Sequence, residues 1–223
     1  MAINRRALFQ PLSFSADTPV LDAPFSDRQL QHRQFPEPIP YDPEPASRLL
    51  DQAGWAKWNR QGVREPYGPP FSFKVIRGSQ GGSGQYESAV YIESQLKRIG
   101  VQMEFDSLEG HGVFLRAVTG DFQAVIFTVF GRGMDGRFYA RCRYGNNRLR
   151  QLTSQLEAAF DPDQEDRVYA DMAAPFQEDV QATFLYPEVR TTITSRRIRG
   201  FDRSPYRGDP TRCMDQLALE GRA

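Results

Sequence analysis

The run Tyr41-Asp-Pro-Glu-Pro-Ala-Ser-Arg-Leu-Leu-Asp-Gln-Ala-Gly-Trp55 opens the ordered part of this 223-residue chain and sets how the rest is read. Asp42 suits an N-cap, and Pro43 suits the first helical turn, where a missing N–H costs nothing. Leu49, Leu50 and Ala53 make the expected apolar face, and Gly54 ends the helix as a C′ residue. Phe71-Ser-Phe-Lys-Val-Ile76 then alternates as a half-buried strand, with Phe71, Phe73 and Val75 inward. After the loop Gly78-Ser-Gln-Gly-Gly-Ser-Gly84, a helix from Gln85 carries Ala89, Ile92, Leu96 and Ile99 on one stripe and closes at Gly100.

Val101-Gln-Met-Glu-Phe105 alternates again, and a short helix around 113–118 leads to Gly120-Asp-Phe122. Ala124-Val-Ile-Phe-Thr-Val-Phe130 is apolar on both faces, as expected of a central strand covered on two sides. Strands separated by helices imply parallel pairing in an α/β layer. Farther on, Leu149, Leu152, Leu156 and Phe160 share one helix face. Asp161-Pro-Asp-Gln-Glu165 starts another helix, which buries Tyr169, Met172 and Phe176, and Pro175 is expected to kink or end it. Thr183-Phe-Leu-Tyr-Pro187 and Arg190-Thr-Thr-Ile-Thr194 read as further strands. The tail from Arg196 is basic and turn-rich, and closes on Met214–Leu219.

Upstream, residues 11–46 are dense in proline and read as an extended connector over a surface. Met1-Ala-Ile-Asn-Arg-Arg6 carries charge without the apolar run of a secretion signal. No segment is apolar enough to span a membrane as a helix. Twenty-eight basic and 28 acidic groups cancel, which gives no global pull toward nucleic acid or anionic lipid. Cys142 and Cys213 form no Cys-x-x-Cys motif; a disulfide and two free thiols both remain open. The 78–84 loop lacks the lysine of a P-loop, and no G-x-S-x-G elbow occurs. His32 and His111 are isolated, and the acids from Asp161 to Asp166 fit a solvated helix start. Nothing in the residues builds a catalytic, metal or cofactor site.

In this order, the segments resemble the C-terminal half of the family 5 solute-binding proteins, the dipeptide-, oligopeptide- and nickel-binding components of ABC importers. Ala2-Ile-Asn-Arg5 looks like the family's "YAINR" helix, and residues 40–55 look like its "P-Y-D-P-x-x-A-x-x-L-L-x-x-A-G-W" block. Gly62-Val-Arg-Glu65, Pro70-Phe-Ser-Phe73, Gln95-Leu-Lys-Arg-Ile-Gly-Val101, Gly120-Asp-Phe122, Phe184-Leu-Tyr-Pro187 and Ile198-Arg-Gly-Phe201 continue the likeness to about residue 201. The resemblance implies one α/β lobe of a type II periplasmic-binding-protein architecture, truncated at the N-terminus. Residues 1–40 would be a partial helix and connector, 41–200 the lobe, and 201–223 a tail returning toward the other lobe.

It further implies a non-enzymatic substrate-binding role for peptides or a similar small polar solute. Permease subunits would be its partners, and the location would be periplasmic or at the cell surface. Some members hold an acid-rich loop before "V-R-E", but Ala56-Lys-Trp-Asn-Arg-Gln-Gly62 has no carboxylate, so no metal is expected. In peptide binders an aspartate after the central strand meets the ligand's amino terminus beside a tryptophan. Here Arg132 stands at or near that aspartate, Asp135 follows, and Val129 or Phe130 replaces the tryptophan. Phe130, Arg132 and Asp135 are therefore the expected substrate-binding residues. An arginine there favours an anionic ligand group, which leaves the solute class open. A stand-alone interaction module and, less well supported, a small phosphate-ligand enzyme on the 78–84 loop are the alternative readings.

Overall fold

The structure, a computed structural model, describes residues 1–10, 37–66, 68–78, 84–127, 147–180, 182–186, 195–200 and 217–219. A short helix α1 (Arg5–Phe9) and helix α2 (Pro43–Gln52) precede the sheet. Asn4 caps α1 by accepting the Ala7 N–H, and Asp42 caps α2 by accepting that of Glu44, with Pro43 at the helix start. Gly54 follows α2 at φ +93°, a conformation glycine adopts without a Cβ penalty.

Strands β1 (Ser72–Gly78), β2 (Gln102–Leu108) and β3 (Ala124–Val125) form one parallel sheet in the order β2-β1-β3. Ser72 faces Gln102 at one end and Gly78 faces Leu108 at the other, while Val75 and Ile76 pair with Ala124 and Val125. Helix α3 (Gln85–Arg98) links β1 to β2, and α4 (Gly110–Thr119) links β2 to β3. Such links are long enough to return the chain to the same end of the sheet, as parallel pairing requires.

Alternation along the strands divides the core in two. Val75, Met103, Ala89 and Ile92 form one cluster, joined by Ala124 and Ile126. On the opposite face, Ala117 packs with Leu149 and Leu152 of α5 (Asn147–Glu157) and with Tyr169, Met172 and Phe176 of α6 (Pro162–Asp179). Val125 and Phe127 join this second cluster. Successive residues from Ala124 to Phe127 thus serve alternate faces, which explains why that run is continuously apolar. Among the described residues, however, the strand with neighbours on both sides is β1, not β3. Outside this sheet, β4 (Ile198–Arg199) pairs antiparallel with β5 (Ala218–Leu219).

Four sequence expectations change. Leu49 of α2 is 55% exposed and Ala53 is exposed, while Ala46 is the buried residue. The helix docks through its polar side, where Ser47 Oγ and Asp51 Oδ1 accept from a buried arginine that would otherwise lack these acceptors. Phe160 is 96% exposed, because α5 ends at Glu157 before the stripe reaches it. Of the two outcomes expected at Pro175, the helix end is excluded: α6 runs on to Asp179, with Pro175 fully buried. Residues 182–186 form no strand, and 187–194 lie outside the described residues.

Candidate functional site

In an open parallel sheet, ligands bind beyond the carboxyl ends of the strands, where the strand order reverses direction. With β1 in the middle and its successors on opposite sides, that point lies at the ends of β1 and β3. Arg77 and Gly78 of β1, the first turn of α3, and Ile126 and Phe127 after β3 meet there. The Ile126 N–H donates to the Ile76 carbonyl at 3.1 Å, which carries the pairing one residue past β3. Phe127 stacks near Phe114 of α4, at 6.3 Å between ring centres.

Ser88 anchors the start of α3. Its hydroxyl is buried, donates to the Gly84 carbonyl at 2.5 Å, and lies 2.8 Å from the Tyr186 hydroxyl. Tyr186 also donates to the Gly84 carbonyl at 3.3 Å, and its ring lies 5.6 Å from that of Phe9. The Phe184-Leu-Tyr-Pro187 motif thereby ties α1 and the start of α3 to one point. Arg5, itself buried, donates to the carbonyls of Phe184 and Ile39 at 3.1 Å each, binding this segment to the chain entering α2.

Arg77 is 9% exposed at the penultimate position of β1. Its guanidinium sits over the rings of Tyr86, at 4.6 Å, and Phe105, at 5.0 Å. Sequence reasoning passed over it. The available signal was its register: Arg77 follows Phe73 and Val75 on the inward face, where an uncharged residue is expected.

A second arginine is structural. Arg64, from Gly62-Val-Arg-Glu65, is 0% exposed, and all five of its N–H donors are used. Nε donates to Ile99 O at 2.6 Å. Nη1 donates to Asp51 Oδ1 at 2.6 Å and Trp55 O at 2.5 Å. Nη2 donates to Ser47 Oγ at 2.5 Å and Ser47 O at 3.3 Å. Ser47, Asp51 and Trp55 lie four residues apart on one side of α2 and its exit, which accounts for the spacing in the opening block. Such a saturated side chain has no donor left for a ligand. The loop before it is shaped by Asn59, whose side chain accepts the Gln61 and Val63 N–H groups at 3.0 Å each.

At the sheet's outer side, Arg116 bridges Asp106 at 2.6 Å and Asp121 at 3.1 Å. The bond to Asp106 holds its pKa above the usual guanidinium value. A cavity of about 180 Å³, lined by Met1, Ile3, Arg5, Ile39, Phe176 and Thr183 among others, lies where α1 meets the end of α6. Phe130, Arg132 and Asp135, expected to touch the solute, lie outside the described residues.

Residues 1–149 match the family described as bacterial extracellular solute-binding proteins, family 5 middle. The oligopeptide-binding protein AppA of Bacillus subtilis is 23% identical over 180 residues, covering 75% of this chain and 33% of that protein. The structure of Bacillus subtilis AppA in complex with a nonapeptide superimposes with a TM-score of 0.73 at 21% identity, over 99% of this chain and 46% of the other. The Thermus thermophilus oligopeptide-binding protein complexed with a pentapeptide gives 0.67 at 17% identity, over 83% and 36%. NikA from Brucella suis, in complex with Fe(III)-EDTA, gives 0.62 at 18% identity, over 80% and 38%. The chain therefore spans less than half the length of each of these relatives. Its fold is that of the periplasmic binding proteins, a parallel α/β layer flanked by helices on both faces. With two thirds of its residues matched by the family, this chain belongs to the family 5 bacterial extracellular solute-binding proteins.

Proposed function

We propose that the chain supplies one wall of a two-lobed binding protein that passes a peptide, or a similar small polar solute, to an ABC importer. The supporting observation is the β2-β1-β3 order, which directs the ends of β1 and β3 to one crevice at the carboxyl edge. Residues 41–200 act as the lobe, 1–40 as helix and connector, and 201–223 as the returning tail. Phe130, Arg132 and Asp135 follow β3 in sequence and extend the contact set. Binding comes from closure of two walls, each giving part of the contacts, so the role is capture without chemistry. Delivery to permease subunits places the working protein in the periplasm or at the cell surface.

The test is a nuclear magnetic resonance titration of the isotope-labelled chain with a pool of defined oligopeptides. With one wall, a dissociation constant weaker than about 100 μM is expected, with saturable shifts at Gly78, Ser88 and Phe127. Shifts confined to the cavity near Met1, or no saturable shift, would reject the assignment.

A further inference from the structure

Gly84 opens α3 at φ +68° and has no side chain with which to cap it. Its carbonyl is instead the meeting point of three donors: the Ser88 N–H at 3.0 Å, the Ser88 hydroxyl at 2.5 Å and the Tyr186 hydroxyl at 3.3 Å. The two hydroxyls lie 2.8 Å apart. Because Ser88 gives its proton to the Gly84 carbonyl, the single proton of Tyr186 is shared between that carbonyl and Ser88 Oγ. Ser88 is 1% exposed, so water does not readily take over either bond.

The phenol reaches this point from 98 residues farther along the chain, on a segment fixed against both faces of the layer. Phe184 packs on the α5–α6 cluster and its carbonyl accepts from Arg5, while Leu185 packs on the opposite cluster. Phe9 lies against the Tyr186 ring itself. From the sheet side, the same turn meets Arg77, whose guanidinium lies over Tyr86. Arg77 Nη1 donates to the Gly78 carbonyl at 3.2 Å, and its Nε is buried without a hydrogen-bond partner. A cation over a ring tolerates sliding, whereas hydrogen bonds to one oxygen fix both distance and direction. The hydroxyl pair therefore decides where α3 starts.

We propose that Tyr186, acting through Ser88 and the Gly84 carbonyl, is a positioning residue for solute capture. It holds the start of α3 at the carboxyl edge in the place that the bound solute requires. This rests on the solute-binding reading above and adds to it a residue whose hydroxyl works within the fold. The consequence is preorganisation: a turn held before binding does not have to be ordered by the ligand. Losing one hydroxyl of this tether corresponds to a loss of about threefold to tenfold in affinity.

The intact chain is titrated with an oligopeptide that shifts Gly78 and Phe127, as the native form and as Tyr186→Phe, Ser88→Ala, their combination, and Asp51→Ala. Tyr186→Phe keeps the ring on Phe9 and removes only the hydroxyl. It and Ser88→Ala are each expected to raise the dissociation constant by that threefold to tenfold, and the combination by little more than the larger single change. Asp51→Ala, a mild loss of stability at the Arg64 junction, should leave the constant unchanged. Native affinity in Tyr186→Phe would overturn the proposal. So would an equal weakening in Asp51→Ala, which would mark the effect as one of stability alone. If no peptide in the pool shifts the native chain, the solute reading fails, and the tether is judged by amide hydrogen exchange at Ser88. Faster exchange there in Tyr186→Phe, with Arg98 at the other end of α3 unchanged, sustains Tyr186 as the residue that positions the helix; equal exchange overturns it.

Discussion

The Gly100 carbonyl accepts the Arg64 N–H at 2.8 Å, and a Cβ placed on Gly100 would lie 2.8 Å from Arg64 Cγ. The same Cβ would lie 2.6 Å from the Trp58 ring, which covers the Arg64 guanidinium at 4.7 Å. Gly100 sits at φ +77° after α3, so it answers two demands at once: a left-handed turn and the absence of a side chain. Gly100→Ala is expected to cost about 2–4 kcal/mol, adding backbone strain to overpacking. Urea denaturation checks it; an unchanged midpoint would mean the Trp58–Arg64 stack is not fixed.

Removing the other side of that junction should cost a similar amount for a different reason. Arg64→Met leaves the Ile99, Trp55 and Ser47 carbonyls without their donor, and a loss of about 2–4 kcal/mol follows. Arg64→Lys should recover only part, since three donors on one nitrogen cannot reach acceptors held by a planar fork. Equal stability of the Lys variant and the native chain would contradict the five-bond geometry.

Asp51 is a useful contrast. It accepts from Arg64 at 2.6 Å, yet its side chain is 47% exposed, so water replaces much of what it gives. Asp51→Ala is expected to cost about 1 kcal/mol or less, well below the arginine change, in the same denaturation assay. A loss as large as that of Arg64→Met would show the pair to be shielded from solvent.

Ser88 and Tyr186 share one acceptor, the Gly84 carbonyl, besides their mutual contact at 2.8 Å. Their effects should not add. A double-mutant cycle with Ser88→Ala and Tyr186→Phe is expected to give a coupling of about 0.5–1.5 kcal/mol. Zero coupling would separate the 182–186 segment from the start of α3.

Phe160 and Phe176 test the revised helix boundary. Phe176 is buried against Phe184, at 5.2 Å between ring centres in an edge-on arrangement, whereas Phe160 projects into solvent. Phe176→Ala should cost about 3–5 kcal/mol and Phe160→Ala within about 0.5 kcal/mol. A large loss at Phe160 would extend the core past α5.

Periodicity made the layer legible from the residues. Ala89, Ile92 and Leu96 share the expected stripe of α3, with Ala89 and Ile92 in the core and Leu96 packed against it, and Tyr169, Met172 and Phe176 sit where their spacing puts them. Asp42 caps α2 as its position indicated. The failures differ in cause: α5 stops at Glu157 short of Phe160, whereas on α2 the partner decides which face is used, which spacing alone does not describe. Leu49 and Leu50 outranked Ser47 and Asp51 in hydrophobicity, yet a buried guanidinium in the next loop chose the polar side. The substrate residues were chosen from the resemblance, and Phe130, Arg132 and Asp135 remain proposals for contact.

What the amino-acid order determined unaided was the succession of helices and of the three parallel strands, their parallel linkage and the family, because these depend on local spacing, caps and short motifs. Only the folded chain decided the strand order β2-β1-β3, and with it the edge where β1 and β3 end together. The same held for the two buried arginines. Both are charged residues beside apolar ones, and only long-range geometry separates them: Arg64 meets acceptors from α2 and α3 that close every donor, while Arg77 meets two aromatic rings and keeps one donor open.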